Sequence, residues 1–322
     1  MKIGLVIRPF SDDNLKTALQ MDVRDVVTTL PGGRRDGRVW DYLEILRHKK
    51  RIEDLGLRWS VVESVPISDA VKLGLDGRDE EINDYCQTIR NLGAAGIPTM
   101  CYNWMAVFGW MRTSLTTRTR GDALASTYDH RDMEAAPEIT EYGEISEDRL
   151  WENLEYFLKR VIPVAEEAGV KQGLHPDDPP MGPIRGVARI IKSPEAFDRV
   201  LDLVPSDHSG LTFCQGNFKA MDVDIAENIH HFGGKGKIFF AHFRDLHGKV
   251  PTFSESFHDD GETDMAACVR AYSEVGFDGV IRPDHTPTFA IDEEDTGGYN
   301  FLGRLFAVGY MRGLIHGTAL DS

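Results

Sequence analysis

The sequence predicts a closed (β/α)8 barrel, and three observations carry that expectation. Eight short β-rich runs alternate with amphipathic stretches along the chain. Strand–helix repetition of this kind requires parallel strands joined by right-handed crossovers, and 322 residues is the usual barrel length of about 250 plus insertions. An open doubly wound sheet would call for a Gly-rich turn after its first strand; here Arg8-Pro9-Phe10-Ser11 follows instead.

The elements follow in order. Ile3–Ile7 reads as the first strand, because the apolar part of MKIGLVIRPF is too short for a secretion signal. Asp25–Thr29 is the second, followed by a Gly- and Arg-rich loop over Pro31–Arg38. Trp59–Glu63 precedes a helix at Glu80–Ala95, and Pro98–Tyr102 is the fourth strand. Thr113–Thr140 is polar and lacks apolar periodicity, so it is expected as an inserted loop after strand four, structureless or a lid. Ser146–Ala168 is a long helix with a capping hydroxyl at Ser146 and Glu147 and Asp148 beside the positive end of the dipole. Gly169 closes it. Lys171–His175, Leu211–Gln215, Ile238–His242 and Val280–Asp284 complete the strands. Between them lie helices at Ser193–Val204, whose Ser-Pro-Glu start suits a cap and first turn, at Asp224–Phe232 and at Asp264–Val275 with Gly276 after it. Phe301–Leu314 is the last. With no internal repeat, residues 1–322 are expected to form a single catalytic domain.

Composition narrows the function. Lys plus Arg is 36 and Asp plus Glu is 52, a formal net charge of −16. That argues against a nucleic-acid partner, which needs cations for phosphate, and against docking on anionic membranes. It leaves anionic small molecules open, since a local site can be positive. No apolar run approaches a membrane span. The four cysteines are scattered, with no CxxC pair, which suits reduced thiols in the cytoplasm. A homo-oligomer, dimer or higher, is the expected assembly.

The metal-capable side chains fall in a pattern. His175, Cys214, His242 and Asp284 each lie at the C-terminal end of a different strand, the fifth to the eighth. In a barrel those ends converge on the face where active sites lie. Singly, each has a bland reading, such as a buried cysteine or a turn aspartate; together they can surround one ion. Imidazole and carboxylate suit a first-row divalent metal, and thiolate pulls toward zinc or iron. Manganese or ferrous iron fits if water or substrate completes the shell, and a closed structural zinc site fits less well. Arg244 shares a strand face with His242 by period two. It could grip a substrate carboxylate or pair with Asp177 or Asp178. His258 lies in the polar run Phe-His-Asp-Asp-Gly-Glu, and Tyr299 sits just before the last helix.

At these segments the chain resembles the D-mannonate dehydratases, within the xylose-isomerase-like group of TIM barrels. The resemblance is carried by Thr88 to Pro98 running into Cys101-Tyr-Asn-Trp-Met, by Ile145 to Lys171 running into His175-Pro-Asp-Asp-Pro-Pro, and by Cys214 before Gly216. His242 with Arg244, the Phe257–Met265 loop and Arg282-Pro-Asp-His also fit. It implies loss of water from D-mannonate to give 2-keto-3-deoxy-D-gluconate, with Mn2+ or Fe2+ held by His175, Cys214, His242 and Asp284. It implies acid–base roles for His285 and Tyr299, pictured on opposite sides of the sugar, without saying which is acid. Asn103, Arg244, His258 and Arg282 are the expected substrate contacts. Four departures stand out. Gly109 replaces a usual Asp and Ala106 a usual Pro, the insertion after Arg112 is short, and Thr286–Thr296 is acidic. They keep another aldonate open, and a metal-dependent isomerase or epimerase on the same barrel is the alternative.

Overall fold

Eight parallel strands close on themselves in the computed structural model, which describes residues 1–32, 39–135, 141–292 and 298–318. Twelve strands are assigned: β1 Lys2–Val6, β2 Asp25–Thr28, β3 Arg58–Val62, β4 Thr99–Asn103, β5 Ser114–Arg118, β6 Leu124–Asp129, β7 Lys171–His175, β8 Ser209–Cys214, β9 Ile238–Phe243, β10 Leu246–Lys249, β11 Thr252–Glu255 and β12 Val280–Pro283. The barrel runs β1-β12-β9-β8-β7-β4-β3-β2. All eight expected strands are therefore present, each within two residues of its predicted bounds.

The expected helices form as well, at Arg78–Ala94, Glu147–Ala168, Pro194–Leu203, Ile225–Gly234, Met265–Glu274 and Phe301–Thr318. Their boundary chemistry is as the residues foretell. Ser146 accepts from Arg149 N and Ser193 from Ala196 N, while Gly169 ends its helix at φ 67°. Helices at Asp12–Gln20, Tyr42–Glu53, Asp69–Leu73 and Gln215–Ala220 went unread. The first two are mostly polar and bury only two residues each, so few apolar positions mark them.

The expected structureless loop is corrected. Within Thr113–Thr140, β5 and β6 pair antiparallel, and β6 pairs with β11 and β11 with β10, giving a second, four-stranded sheet. Residues 136–140 of that stretch lie outside the described residues, as do 33–38 of the Pro31–Arg38 loop and 293–296 of the acidic stretch. At the tip of the hairpin Leu124 and Thr288 exchange backbone hydrogen bonds, Thr288 N to Leu124 O at 2.7 Å and Leu124 N to Thr288 O at 3.3 Å. The insertion is thus tied to the segment that follows β12.

The main core lies between barrel and helices, with Ile89, Leu92, Phe157, Leu158 and Ile162 fully enclosed. A smaller cluster of Val27, Val61, Cys101, Phe240 and Val280 joins strands on different sides of the barrel, so it fills the interior beneath the C-terminal mouth. Where Arg78–Ala94 crosses Glu147–Ala168, Gly93 permits the approach: a Cβ there would lie 2.3 Å from Ala168 O. Gly93→Ala is expected to cost about 1–3 kcal/mol by overpacking. Gly309→Ala, in the last helix with open space around it, is expected to be neutral or to stabilise by about 0.5–1 kcal/mol. Denaturant midpoints of the two variants check the contrast.

Candidate active site

Strand register sets the site. Cys214 on β8 lies opposite His242 on β9, and His242 lies opposite Arg282 on β12. Asn103 on β4 lies opposite His175 on β7. Each strand then stops for a local reason. Pro176 follows His175, Cys214 is the cap of the short helix Gln215–Ala220, and Pro283 precedes Asp284. The donor atoms of His175, Cys214 and His242 all lie within 4.8 Å of one another.

Asp284 stands at the edge of this trio. Its Oδ2 is 3.4 Å from His242 Nδ1 and 3.9 Å from Cys214 Sγ. His175 is oriented by its own loop: Nδ1 lies 2.7 Å from the Pro176 carbonyl, which can only accept, so Nδ1 carries the proton and Nε2 is left as a ligand. His242 is 2% exposed, yet neither ring nitrogen makes a well-directed hydrogen bond. Its ring faces carboxylates instead, with Nε2 2.9 Å from Glu63 Oε1 and Nδ1 3.4 Å from Asp284 Oδ2, and an imidazole among a thiol and carboxylates suits a cation. The electrostatics agree. Burial and Arg282 oppose protonation of His242, but Asp284 and Glu63 outweigh them and hold it up at about 9. Burial likewise opposes charge on Asp284, and Arg282, His285 and His242 overcome it and keep its carboxyl well below the usual range. The pocket is rich in negative charge where a cation would sit.

On the other flank of Asp284 lies the expected acid–base pair. Tyr299 OH is 3.2 Å from His285 Nε2 and donates toward Asp284 Oδ1 at 3.4 Å. The two groups stand side by side on one wall, not on opposite sides of the site. Trp110 stacks on His285 with ring centroids 5.1 Å apart and planes 11° apart. Burial pushes the His285 imidazole down to about 4 and the Tyr299 phenol well up.

A pocket of about 200 Å³ opens over these groups. Asn103 and Arg282 line it, together with His175, His242, Asp284, His285 and Tyr299. Arg282 is itself paired, to Asp284 Oδ1 at 2.7 Å and to Glu63. Gly109 also lines the pocket with nothing within 4 Å of a Cβ position. A side chain there would meet open space.

Two expected substrate contacts, Arg244 and His258, are not brought to the pocket wall. Arg244 is fully buried and does not line the pocket. Its guanidinium is taken up by Glu255 at 2.7 and 2.9 Å, Asp178 at 2.9 Å and Asn217 at 2.9 Å. Of the two acids considered as its partner, Asp178 is realised; Asp177 instead accepts from the Ile190 and Ile191 amides. His258 is buried with Nε2 donating to Phe243 O at 2.8 Å, and it too lies outside the pocket wall.

The residues that sequence reasoning missed are Glu63, Trp110, Arg112 and Glu255. Glu63 ends the third predicted strand, the same signal that singled out His175, Cys214, His242 and Asp284. Burial opposes its charge, but Arg282 and His242 hold it down at about 2. Arg112 closes a buried net with Arg244, contacting Asp178 at 2.6 Å and Glu255 at 2.7 Å. Gly216 makes room for that net, since a Cβ there would lie 2.6 Å from the Arg244 side chain.

A barrel mouth with a His–Cys–His–Asp set and an adjoining His–Tyr pair defines a (β/α)8-barrel protein with a metal-capable site. Comparison with known proteins narrows this. The family model for D-mannonate dehydratase (UxuA) matches residues 11–140 and 134–321. A mannonate dehydratase of Thermotoga maritima is 38% identical over 312 residues, 86% of each chain. Mannonate dehydratase 2 of Halalkalibacterium halodurans is 36% identical over 86% of this chain and 88% of its own. The crystal structure of mannonate dehydratase from Streptococcus suis serotype 2 superposes with a TM-score of 0.93 at 34% identity, covering 100% of this chain and 94% of that one. An L-ribulose 3-epimerase structure, at 14% identity and a TM-score of 0.63, shares the fold alone. The chain belongs to the D-mannonate dehydratase family, a family of metal-dependent hydro-lyases. Among the described residues no helix is long and apolar enough to cross a membrane.

The Arg112–Asp178–Arg244–Glu255 net yields a prediction. Arg244→Met leaves two buried carboxylates sharing one guanidinium and is expected to cost about 3–5 kcal/mol of stability. Because Asp178 and Glu255 are both held below their ordinary values despite burial, by Arg112 and Arg244, their contribution is complete above the ordinary carboxylate range. It is lost as pH falls through the lowered values. Denaturant midpoints across pH should show the variant's deficit shrinking in acid. An unchanged midpoint with only a raised KM would return Arg244 to the substrate.

Proposed function

We propose that this protein converts D-mannonate to 2-keto-3-deoxy-D-gluconate and water, with one Mn2+ or Fe2+ held by His175, Cys214, His242 and Asp284. The observation that carries this is the convergence of three ligand atoms within 4.8 Å beside Asp284 and the His285–Tyr299 pair, in a chain of this family. When bound, the ion supplies positive charge where negative charge builds on the substrate carboxylate as the adjacent C2 proton leaves.

The chain's own groups do the proton work. At neutral pH an ordinary imidazole, with a pKa of about 6.5, is mostly free of its proton and a phenol, at about 10, keeps its own. His285 is accordingly the base that takes the C2 proton, and Tyr299 the acid that gives one to the departing 3-hydroxyl. Water leaves, and the resulting enol releases its C2 hydroxyl proton as it takes one at C3, becoming the 2-keto-3-deoxy acid. The 3.2 Å contact between the two groups lets Tyr299 recover its proton from His285. Trp110, flat against His285, fixes the ring plane and keeps water from that face. Arg282 and Asn103 contact the substrate, with Arg282 also holding Asp284. Gly109 leaves room that other aldonates could use, and the reaction class is the same for them.

Exhaustive chelation is expected to abolish 2-keto-3-deoxy acid formation, and added Mn2+ or Fe2+ to restore it. Cys214→Ser should weaken metal retention, since a hydroxyl is a poorer ligand than thiolate. Full activity with metal content verified near zero would refute the site. Tyr299→Phe and His285→Asn should each lower kcat by roughly 10²–10⁴-fold with metal content unchanged. If His285 is the base, only its loss stops exchange of a C2 deuteron with solvent, where abstraction is reversible. Ketose formation without a keto-deoxy product would favour the isomerase or epimerase alternative.

A further inference from the structure

A second chamber, of about 520 Å³, lies beside the catalytic pocket and shares Glu63, Ser64, Val65, Pro66, Arg282 and Tyr299 with it. Tyr299 lines both. Its hydroxyl meets His285 and Asp284, while Arg8 Cζ lies 5.9 Å from its ring centroid. The remaining walls mix hydroxyls, from Thr28 and Thr29, with the rings of Phe10 and Trp40.

Arg8 lies just past the C-terminal end of β1, on the same barrel face as the metal-capable residues, yet it has no part in their set. It is exposed, and among the described residues no carboxylate pairs with it. Its backbone is nonetheless anchored: Arg304 Nη2 donates to Arg8 O at 3.1 Å, and Arg304 Nη1 donates to Val6 O. Arg304 is buried and its remaining bond is also to a carbonyl, that of Asn300. Two guanidinium groups on this side thus have no acidic partner among the described residues, in a chain of net charge −16. The reaction engages C1 to C3 of the acid. At roughly 1.5 Å per C–C bond, the next three carbons reach on the order of 4 Å further and need a place next to the reaction pocket.

We infer that the outer chamber is the subsite for the polyhydroxylated far end of the acid, and that Arg8 is the contact that selects six-carbon over four-carbon substrates. This rests on the dehydratase reading above. A guanidinium offers five N–H donors on a rigid plane, and the hydroxyls at C5 and C6 are acceptors that the four-carbon acid lacks. Phe10 and Trp40 offer apolar faces to the carbon chain.

The test compares wild type, Arg8→Gln and Arg8→Lys, loaded with Mn2+, on D-mannonate and on the four-carbon acid of the same configuration at C2 and C3. Keto-deoxy acid formation gives kcat/KM, and calorimetry gives binding. Arg8→Gln is expected to lower kcat/KM for D-mannonate roughly tenfold or more, mainly through KM, and to leave the four-carbon acid within about twofold. Arg8→Lys should recover part of the loss. An equal fall on both acids, or no fall on either, would overturn the assignment of Arg8. If wild type forms no keto-deoxy acid from either but binds the longer one in an Arg8-dependent way, the dehydratase reading fails and the subsite stands. If it binds neither acid, both fail.

Discussion

Everything in the site turns on one buried carboxylate. Asp284 touches Arg282, His242, Cys214 and Tyr299, and it is 3% exposed. A charge so deeply buried is tolerated only with close compensation, and the compensation is divided by function. Oδ1 is held by Arg282 and approached by Tyr299; Oδ2 faces the His242 ring and the Cys214 sulfur. The same group therefore joins the His242–Cys214 side of the mouth to the Tyr299–His285 side.

A second charge net lies beneath. Arg244 reaches Cys214 Sγ at 3.5 Å while fastened to Asp178 and Glu255. Arg112 ties those same carboxylates to the start of the inserted hairpin. The hairpin's other end is bonded at Thr288, three residues after His285. Trp110, two residues before Arg112, lies on the His285 ring. The insertion thus braces Cys214 through Arg244 and His285 through Trp110. That is a firmer role than the lid or loose loop its polar sequence suggests.

The barrel was legible because strand–helix alternation is a local signal, and the meeting of His175, Cys214, His242 and Asp284 at one mouth because those four residues closed four successive strands. Tyr299 is different: no spacing marks it, and only resemblance to a family singled it out. Glu63 obeyed the strand-end rule but stood alone among apolar neighbours with no motif around it. Arg244 was misplaced for a physical reason. Period two assigns a side chain to a face, but its partners Asp178 and Glu255 arrive from other elements, 66 residues before it and 11 after it. The β5–β6 hairpin was hidden because β5 is mostly exposed on both faces, so alternation has no core to report, and its pairing with β11 joins segments far apart in sequence.

The central claim is that His175, Cys214, His242 and Asp284 share one divalent ion. Anomalous diffraction from crystals soaked in Mn2+, recorded near the manganese edge, tests it without reference to turnover. The account predicts one strong peak bounded by those four side chains, at ligand distances of roughly 2–2.4 Å, and lost when Cys214 and His242 are both replaced. A map with no peak at the barrel mouth, or with its peak elsewhere, would contradict it.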